Sequence, residues 1–197
     1  MGDGYVDNSG NNPYLNVKMI SPNYLKYIDS QFKIFGNGVR LSITAEESAK
    51  QNRDNGFSPN AKAENYSDKY RWQSMRHPEL KEFREWYSTG NKIWPANIEL
   101  TPTVLKHWYC GDGCWDNTGG NNRITIAISN ESENTEKINS IFKNVGLPCP
   151  KRYKKYKRDS GSVKCDAVFT VDQSKKLWEY MGEPLPDFEY KWPEEYK

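Results

Sequence analysis

The sequence predicts an α+β protein made of two αββαββα repeats, related by a pseudo-twofold, whose antiparallel sheets form a saddle; three observations lead there. First, Gly111-Asp-Gly-Cys-Trp-Asp-Asn-Thr-Gly-Gly-Asn-Asn122 lies over Gly2-Asp-Gly-Tyr-Val-Asp-Asn-Ser-Gly-Asn-Asn12 with one inserted glycine. Second, Phe142-Lys-Asn-Val-Gly146 lies over Phe32-Lys-Ile-Phe-Gly36. Third, stretches of period-two alternation are followed, in the same order in each half, by stretches of helical spacing. Self-similarity at this interval divides the chain into repeats at 1–98 and 99–197.

The elements follow in order. Leu15, Val17 and Met19 alternate with Asn16 and Lys18, the pattern of a half-buried strand. Ser21-Pro22 opens a helix that buries Leu25, Ile28, Phe32 and Phe35 and stops at Gly36. Val39–Thr44 alternates again and exposes Arg40 and Ser42, while residues 46–68 are polar enough to read as a loop or insertion. Tyr70–Arg76 forms the next strand, with Arg71 and Gln73 outward, and Pro78 starts a helix carrying Leu80, Phe83, Trp86 and Tyr87 inward. After the connector 88–97 comes the helix around which the chain is organised. Thr101 caps it, Pro102 occupies its first position, and Val104, Leu105 and Trp108 share a face that ends at Gly111. In the second half Ile124, Ile126 and Ile128 point inward with Arg123 and Thr125 outward. A helix with Ile138, Ile141, Phe142 and Val145 closes at Gly146. A basic loop, a strand at 163–170 and a helix at 173–181 complete the repeat.

Composition excludes some classes. No apolar run is long enough to span a bilayer, and the polar start Met1-Gly-Asp-Gly is not a secretory signal, so the expectation is an intracellular protein that is neither secreted nor membrane-bound. The 4 cysteines lack a disulfide framework. His107, Cys110 and Cys114 would need a fourth ligand to make a zinc site, and none is apparent. The formal net charge is only +2, so the distribution matters more than the sum. Lys151-Arg-Tyr-Lys-Lys-Tyr-Lys-Arg158 concentrates cations among tyrosines, which suits a nucleic-acid backbone.

The outward strand positions carry Asn16, Lys18, Arg40, Ser42, Arg71 and Gln73 in one half. The other half offers Arg123, Thr125 and Lys164, with Lys151, Arg152, Lys154 and Lys155 in the basic loop. These side chains contact phosphates or read base edges in a major groove, which a two-stranded ribbon fits. The repeat also pairs Asp3 with Asp112, each in a Gly-Asp-Gly, so the duplication delivers two related acids.

The chain resembles the LAGLIDADG homing endonucleases of the single-chain, two-repeat kind, over nearly its whole length. The resemblance rests on Leu100-Thr-Pro-x4-His-Trp-Tyr-x2-Asp-Gly113, on His77-Pro-Glu-Leu-x2-Phe-x2-Trp-Tyr87 followed by Gly90-Asn-Lys-Ile-Trp-Pro95, and on Gly2-Asp-Gly4. It implies two motif helices packed together and ending in acids that hold divalent metal, Mg²⁺ or Mn²⁺, at the scissile phosphates. Those acids would be Asp3 and Asp112, with the carbonyls of Gly2 and Gly111 as additional ligands, and Lys92 and Lys191 resemble the family's active-site lysines. The implied activity is site-specific hydrolysis of double-stranded DNA at a long asymmetric target by a monomer. The competing class is a non-catalytic binder, such as an intron-splicing maturase with intron RNA as partner, or a decayed endonuclease fragment. One departure from the pattern stands out: Met1 lies one residue before Gly2, where the family has an apolar helix. The expectation is a truncated first motif helix, with Val104 and Trp108 deprived of their packing partner and exposed.

Overall fold

The computed structural model describes residues 4–7, 10–87, 94–95, 97–157, 161 and 163–197. The chain separates between Arg84 and Glu85 into two compact units, each built on one four-stranded antiparallel sheet.

The first unit runs β1 (Gly4–Asp7), β2 (Tyr14–Met19), α1 (Pro22–Phe32), β3 (Gly36–Ile43), α2 (Ala45–Asp54) and β4 (Lys69–Ser74), then most of a 3₁₀ run over Pro78–Tyr87 whose last three residues belong to the second unit. Its sheet order is β1-β2-β4-β3. Alternation along β2 and β4 turns Val17 and Trp72 toward α1, whose Tyr24, Leu25 and Ile28 are buried. Asp29, one position beyond Ile28, ties helix to sheet: its carboxylate accepts from Trp72 Nε1 at 2.7 Å and from the Gly38 amide at 3.2 Å.

Three expectations fail in this unit. The first helix ends at Phe32 rather than Gly36, because Lys33 takes a left-handed backbone (φ 46°), and Phe32 and Phe35 stay exposed. The polar stretch after Thr44 is not all loop. Thr44 and Glu47 form a reciprocal capping box that starts α2, and the buried face of α2 needs only the small Ser48 and Ala49. The segment from Pro78 winds as a 3₁₀ helix, and Leu80, Phe83 and Trp86 are only half-buried.

The second unit runs α3 (Pro102–Asp112), β5 (Gly113–Asp116), β6 (Arg123–Ala127), α4 (Thr135–Asn144), β7 (Arg152–Lys157), β8 (Val163–Val168) and α5 (Val171–Met181), the αββαββα order in full. Its sheet order, β5-β6-β8-β7, repeats that of the first unit. The duplication extends to register, since Gly4 faces Val17 as Gly113 faces Ile126, and Asp7 faces Tyr14 as Asp116 faces Arg123. Pro13, which has no counterpart between Asn122 and Arg123, compensates for the glycine inserted in the second hairpin and keeps the two pairings equivalent. Not every repeated residue keeps its job. Gly146 has φ 73° just past α4, whereas Gly36 is extended and opens β3.

The expected basic loop is β7 itself, an edge strand paired along its whole length with β8. Basic residues suit such an edge, since they discourage another chain from adding to it.

Trp108, expected to be exposed, is 2% exposed. Its partners come from its own unit: the Trp94 ring meets it edge-on at 4.5 Å, Phe142 lies at 6.3 Å, and Phe169 continues the row at 5.4 Å. Trp94 is held by its backbone, whose N–H donates to Glu131 at 2.9 Å and whose carbonyl accepts from Lys137 Nζ at 2.6 Å. Val104 is half-buried. Trp108→Ala should therefore cost about 3–5 kcal/mol of unfolding free energy, as for other large core rings, and chemical denaturation measures it directly.

On the same helix, burial and then the neighbouring Lys106 lower the His107 pKa to about 4, from an ordinary 6.5. Above pH 6.5 the imidazole is neutral whether the chain is folded or not and carries no penalty. As pH falls from 6.5 toward 4 the unfolded chain takes up a proton that the folded one refuses, and stability declines. Replacing His107 with Gln should flatten the fall in melting temperature across that window; an equal fall in both proteins would refute the assignment.

Candidate nucleic-acid interface and metal centre

Helix α3 starts where Thr101 Oγ1 accepts from the Val104 amide, and it delivers Asp112 as its last residue. No loop follows: Gly113 is already the first residue of β5. That junction requires glycine, because a Cβ at 113 would lie 2.0 Å from the Tyr109 ring and 2.4 Å from the Tyr109 carbonyl oxygen.

The Asp112 carboxylate is half-buried, and among the described residues no hydrogen bond or ion pair engages it. A hard oxygen ligand in this state fits a hard divalent cation, which takes one or two carboxylates and keeps several waters. The described residues contain no group of three or more His, Cys, Asp or Glu placed to hold a metal ion, so Asp112 has one carboxylate to offer. Gly2, Asp3 and Lys92 lie outside the described residues. Cys110 is buried and its thiol is pushed up to about 12 by burial, so it stays protonated rather than serving as a thiolate ligand.

Lys191 is the other group at this helix end. It is 9% exposed, and its ammonium donates to the carbonyls of Cys110 at 2.6 Å, Gly113 at 2.7 Å and Tyr109 at 3.4 Å. Tyr109 answers by donating its hydroxyl to the Lys191 carbonyl at 2.8 Å.

The expected DNA-facing residues fall into two sets. In the first unit β-pairing places Lys18, Arg71 and Arg40 on one rung and Asn16 beside Gln73 on the next. Arg40 is exposed and donates to Gln73, and Lys18 is exposed. Asn16 is buried, with its amide donating to the Tyr5 hydroxyl at 2.8 Å, so this group is already engaged. Ser42 sits half-buried at the irregularity between Leu41 and Ile43.

In the second unit the register sorts the basic run. Arg152, Lys154 and Tyr156 alternate with Tyr153, Lys155 and Lys157, and Lys154 shares a rung with Asp166 and Ala127. Lys154 and Lys164 lie 5.7 and 5.9 Å from the centre of the Tyr156 ring, whose hydroxyl donates to Asp166 at 3.0 Å. Lys155 lies on the opposite side of β7 with Cys165 and pairs with Glu133 at 2.9 Å. Lys151 precedes the strand and is exposed. Arg123 is engaged by Asp116 at 2.6 Å, and Thr125 is half-buried. Sequence reading missed Tyr156, Asp116 and Asp166 as the groups that organise these cations. Reading residues 152–157 as a strand would have separated Lys154 from Lys155.

No curated protein matches this sequence. Among solved structures, the homing endonuclease I-WcaI bound to its DNA recognition sequence aligns with a TM-score of 0.67 at 14% identity, over 96% of this chain and 80% of that one. I-DmoI in complex with DNA and Mn aligns with a TM-score of 0.47 at 12% identity, over 92% of this chain and 90% of that one. The sequence model of the LAGLIDADG DNA endonuclease family matches residues 1–172, and with most of the chain so matched, on two sheets of the same strand order and a helix ending in Asp112, the protein belongs to that family.

Proposed function

We propose that this protein is a metal-dependent endonuclease that hydrolyses double-stranded DNA at a long, asymmetric target, with Asp112 as a ligand of the metal. The observation that carries the reading is the unengaged, half-buried carboxylate held at the helix–strand junction of a LAGLIDADG fold. That a protein of similar fold, I-WcaI, is bound to its DNA recognition sequence supports DNA as the substrate.

The chain's own residues divide the work. Exposed Lys18, Arg40, Arg152 and Lys154 offer charge to the phosphates, and Gln73 offers an amide suited to a base edge. The two strand faces differ in chemistry, one rich in Arg and Gln, the other built round Tyr156 and two lysines, which suits a target with unlike halves. Asp112 contributes hard oxygen at the place where α3 ends, and Asp3 is its counterpart in the sequence repeat. A divalent cation of the Mg²⁺ or Mn²⁺ type supplies charge neutralisation at the phosphate and the leaving oxygen.

Asp112→Asn should abolish cleavage and leave DNA affinity nearly unchanged, since the change removes a ligand and no phosphate contact. Gel-shift and cleavage assays on one target measure both, and continued Mg²⁺-dependent cutting by this variant would refute the role. A wild-type protein that binds DNA or RNA and never cuts would favour the splicing-maturase class instead.

The salt dependence of binding separates the two neighbouring lysines. Lys154→Ala should reduce the slope of log affinity against log salt by about one, the value for a lost phosphate contact. Lys155→Ala should leave the slope unchanged, because its ammonium is committed to Glu133 on the other side of β7. Equal slopes for both variants would count against the strand-face assignment.

A further inference from the structure

We propose that Lys191 is a positioning residue that holds the Asp112 turn in its ligand-presenting shape, rather than a group that reaches the phosphate or the attacking water. The inference rests on the reading of Asp112 as a metal ligand. Helix α3 leaves the carbonyls of Cys110, Gly111 and Asp112 without helical partners, because its last backbone bond runs from the Gly113 amide to the Tyr109 carbonyl. Lys191 spans this end. One short bond lands on Cys110, before Gly111 and Asp112, and the other on Gly113, after them. Two charge-assisted bonds on either side of a two-residue segment restrain the dihedrals that aim the Asp112 carboxylate. The Gly111 carbonyl is not among the acceptors of the Lys191 ammonium, so it is left for other chemistry.

The cost of burying the ammonium is offset locally. It sits at the negative end of the α3 dipole, and the rings of Phe188, Tyr190 and Tyr109 lie 5.3, 5.9 and 6.0 Å from it. Two short carbonyl bonds hold the Lys191 ammonium against the end of α3. Its backbone is also fixed, since its carbonyl accepts from Tyr109 and the next residue, Trp192, is 0% exposed. Ligands tuned from behind in this way lose roughly 10- to 100-fold in metal affinity when the supporting group is removed.

The test compares the wild type with Lys191→Met, which keeps the length of the stem and removes the charge. Without metal or DNA, amide hydrogen exchange at Gly111–Gly113 should speed up in the variant while exchange in β8 stays unchanged. Mn²⁺ bound by the protein in complex with an uncleavable DNA duplex, followed by the loss of the free-ion EPR signal, should show a dissociation constant at least about ten-fold higher. The cleavage rate at saturating metal should fall by less than that factor. Unchanged Mn²⁺ affinity with a collapsed saturated rate would overturn the inference in favour of a direct chemical role. A lower melting temperature with unchanged Mn²⁺ affinity would overturn it in favour of a merely structural cap. Asp112→Asn is the control for the underlying reading: if that variant binds Mn²⁺ normally the ligand assignment fails, whereas loss there with none in Lys191→Met sinks only the positioning role. Should Lys191→Met not fold, the wild type still decides. A triply bonded ammonium exchanges slowly and gives an observable ¹H–¹⁵N ammonium resonance with cross-relaxation to Cys110 and Gly113, and a ¹⁵N-lysine sample lacking it would refute the contact.

Discussion

The second unit depends on a helix that becomes a strand with no residue between them. Asp112 ends α3 and Gly113 begins β5, so the carboxylate is fixed by two elements at once. The junction exists because Gly113 has no side chain: the space a Cβ would need is filled by the ring and carbonyl of Tyr109. Tyr109 cannot yield that space. It is 0% exposed, its ring meets Trp192 edge-on at 5.0 Å, and its hydroxyl is bonded to the Lys191 backbone. Burial holds its phenol well above the usual range, so it remains a neutral donor at any physiological pH. An alanine at 113 would thus shift the ring, its hydrogen bond and the turn together, which is why a small residue controls the site.

Much of this was legible from local signals. Thr101-Pro102 and the spacing of Leu105 and Trp108 gave α3, and the isoleucine alternation gave β6, because one buried face imposes its period on the sequence. The failures share a different cause. Helix α2 has almost no apolar stripe, and its only marks are the Thr44–Glu47 box and two small buried residues. Strand β7 hides its alternation because both of its faces are polar, and only its pairing with β8 reveals which lysine faces which way. Trp108 looked orphaned because its partner, Trp94, sits in a connector with no periodicity of its own. That contact is set by Glu131 and Lys137 gripping the Trp94 backbone, a tertiary arrangement no window of sequence displays.

The charged surface makes the same point about counting residues. Exposed ion pairs add little stability, yet they decide which cations remain for a polyanion. Lys155 and Glu133 shift each other in opposite directions, the amine upward and the carboxyl downward, as a committed pair does. Asp116 is held below its ordinary range first by the Thr118 amide and then by Arg123, so that arginine is neutralised locally. Lys154 and Lys164 instead lean on the uncharged Tyr156 ring, which leaves their charge intact for a phosphate. A run of six basic residues within eight positions therefore leaves fewer uncommitted cations for a polyanion than its composition suggests.

The segment beyond α5 belongs to neither copy of the αββαββα pattern, yet it completes the acid's surroundings. Leu185, Phe188 and Trp192 are buried, and Trp192 Nε1 donates to the Gly182 carbonyl at 3.1 Å, so the chain is fastened on both sides of Lys191. Burying those three side chains is worth several kcal/mol by area, far more than the ammonium contributes, which makes apolar packing the anchor and Lys191 what the anchor delivers. The order of cause is then sequence to packing to geometry. Aromatic residues spaced through 185–192 hold the segment down, the segment brings an ammonium to the end of α3, and the ammonium secures the carbonyls that flank Asp112.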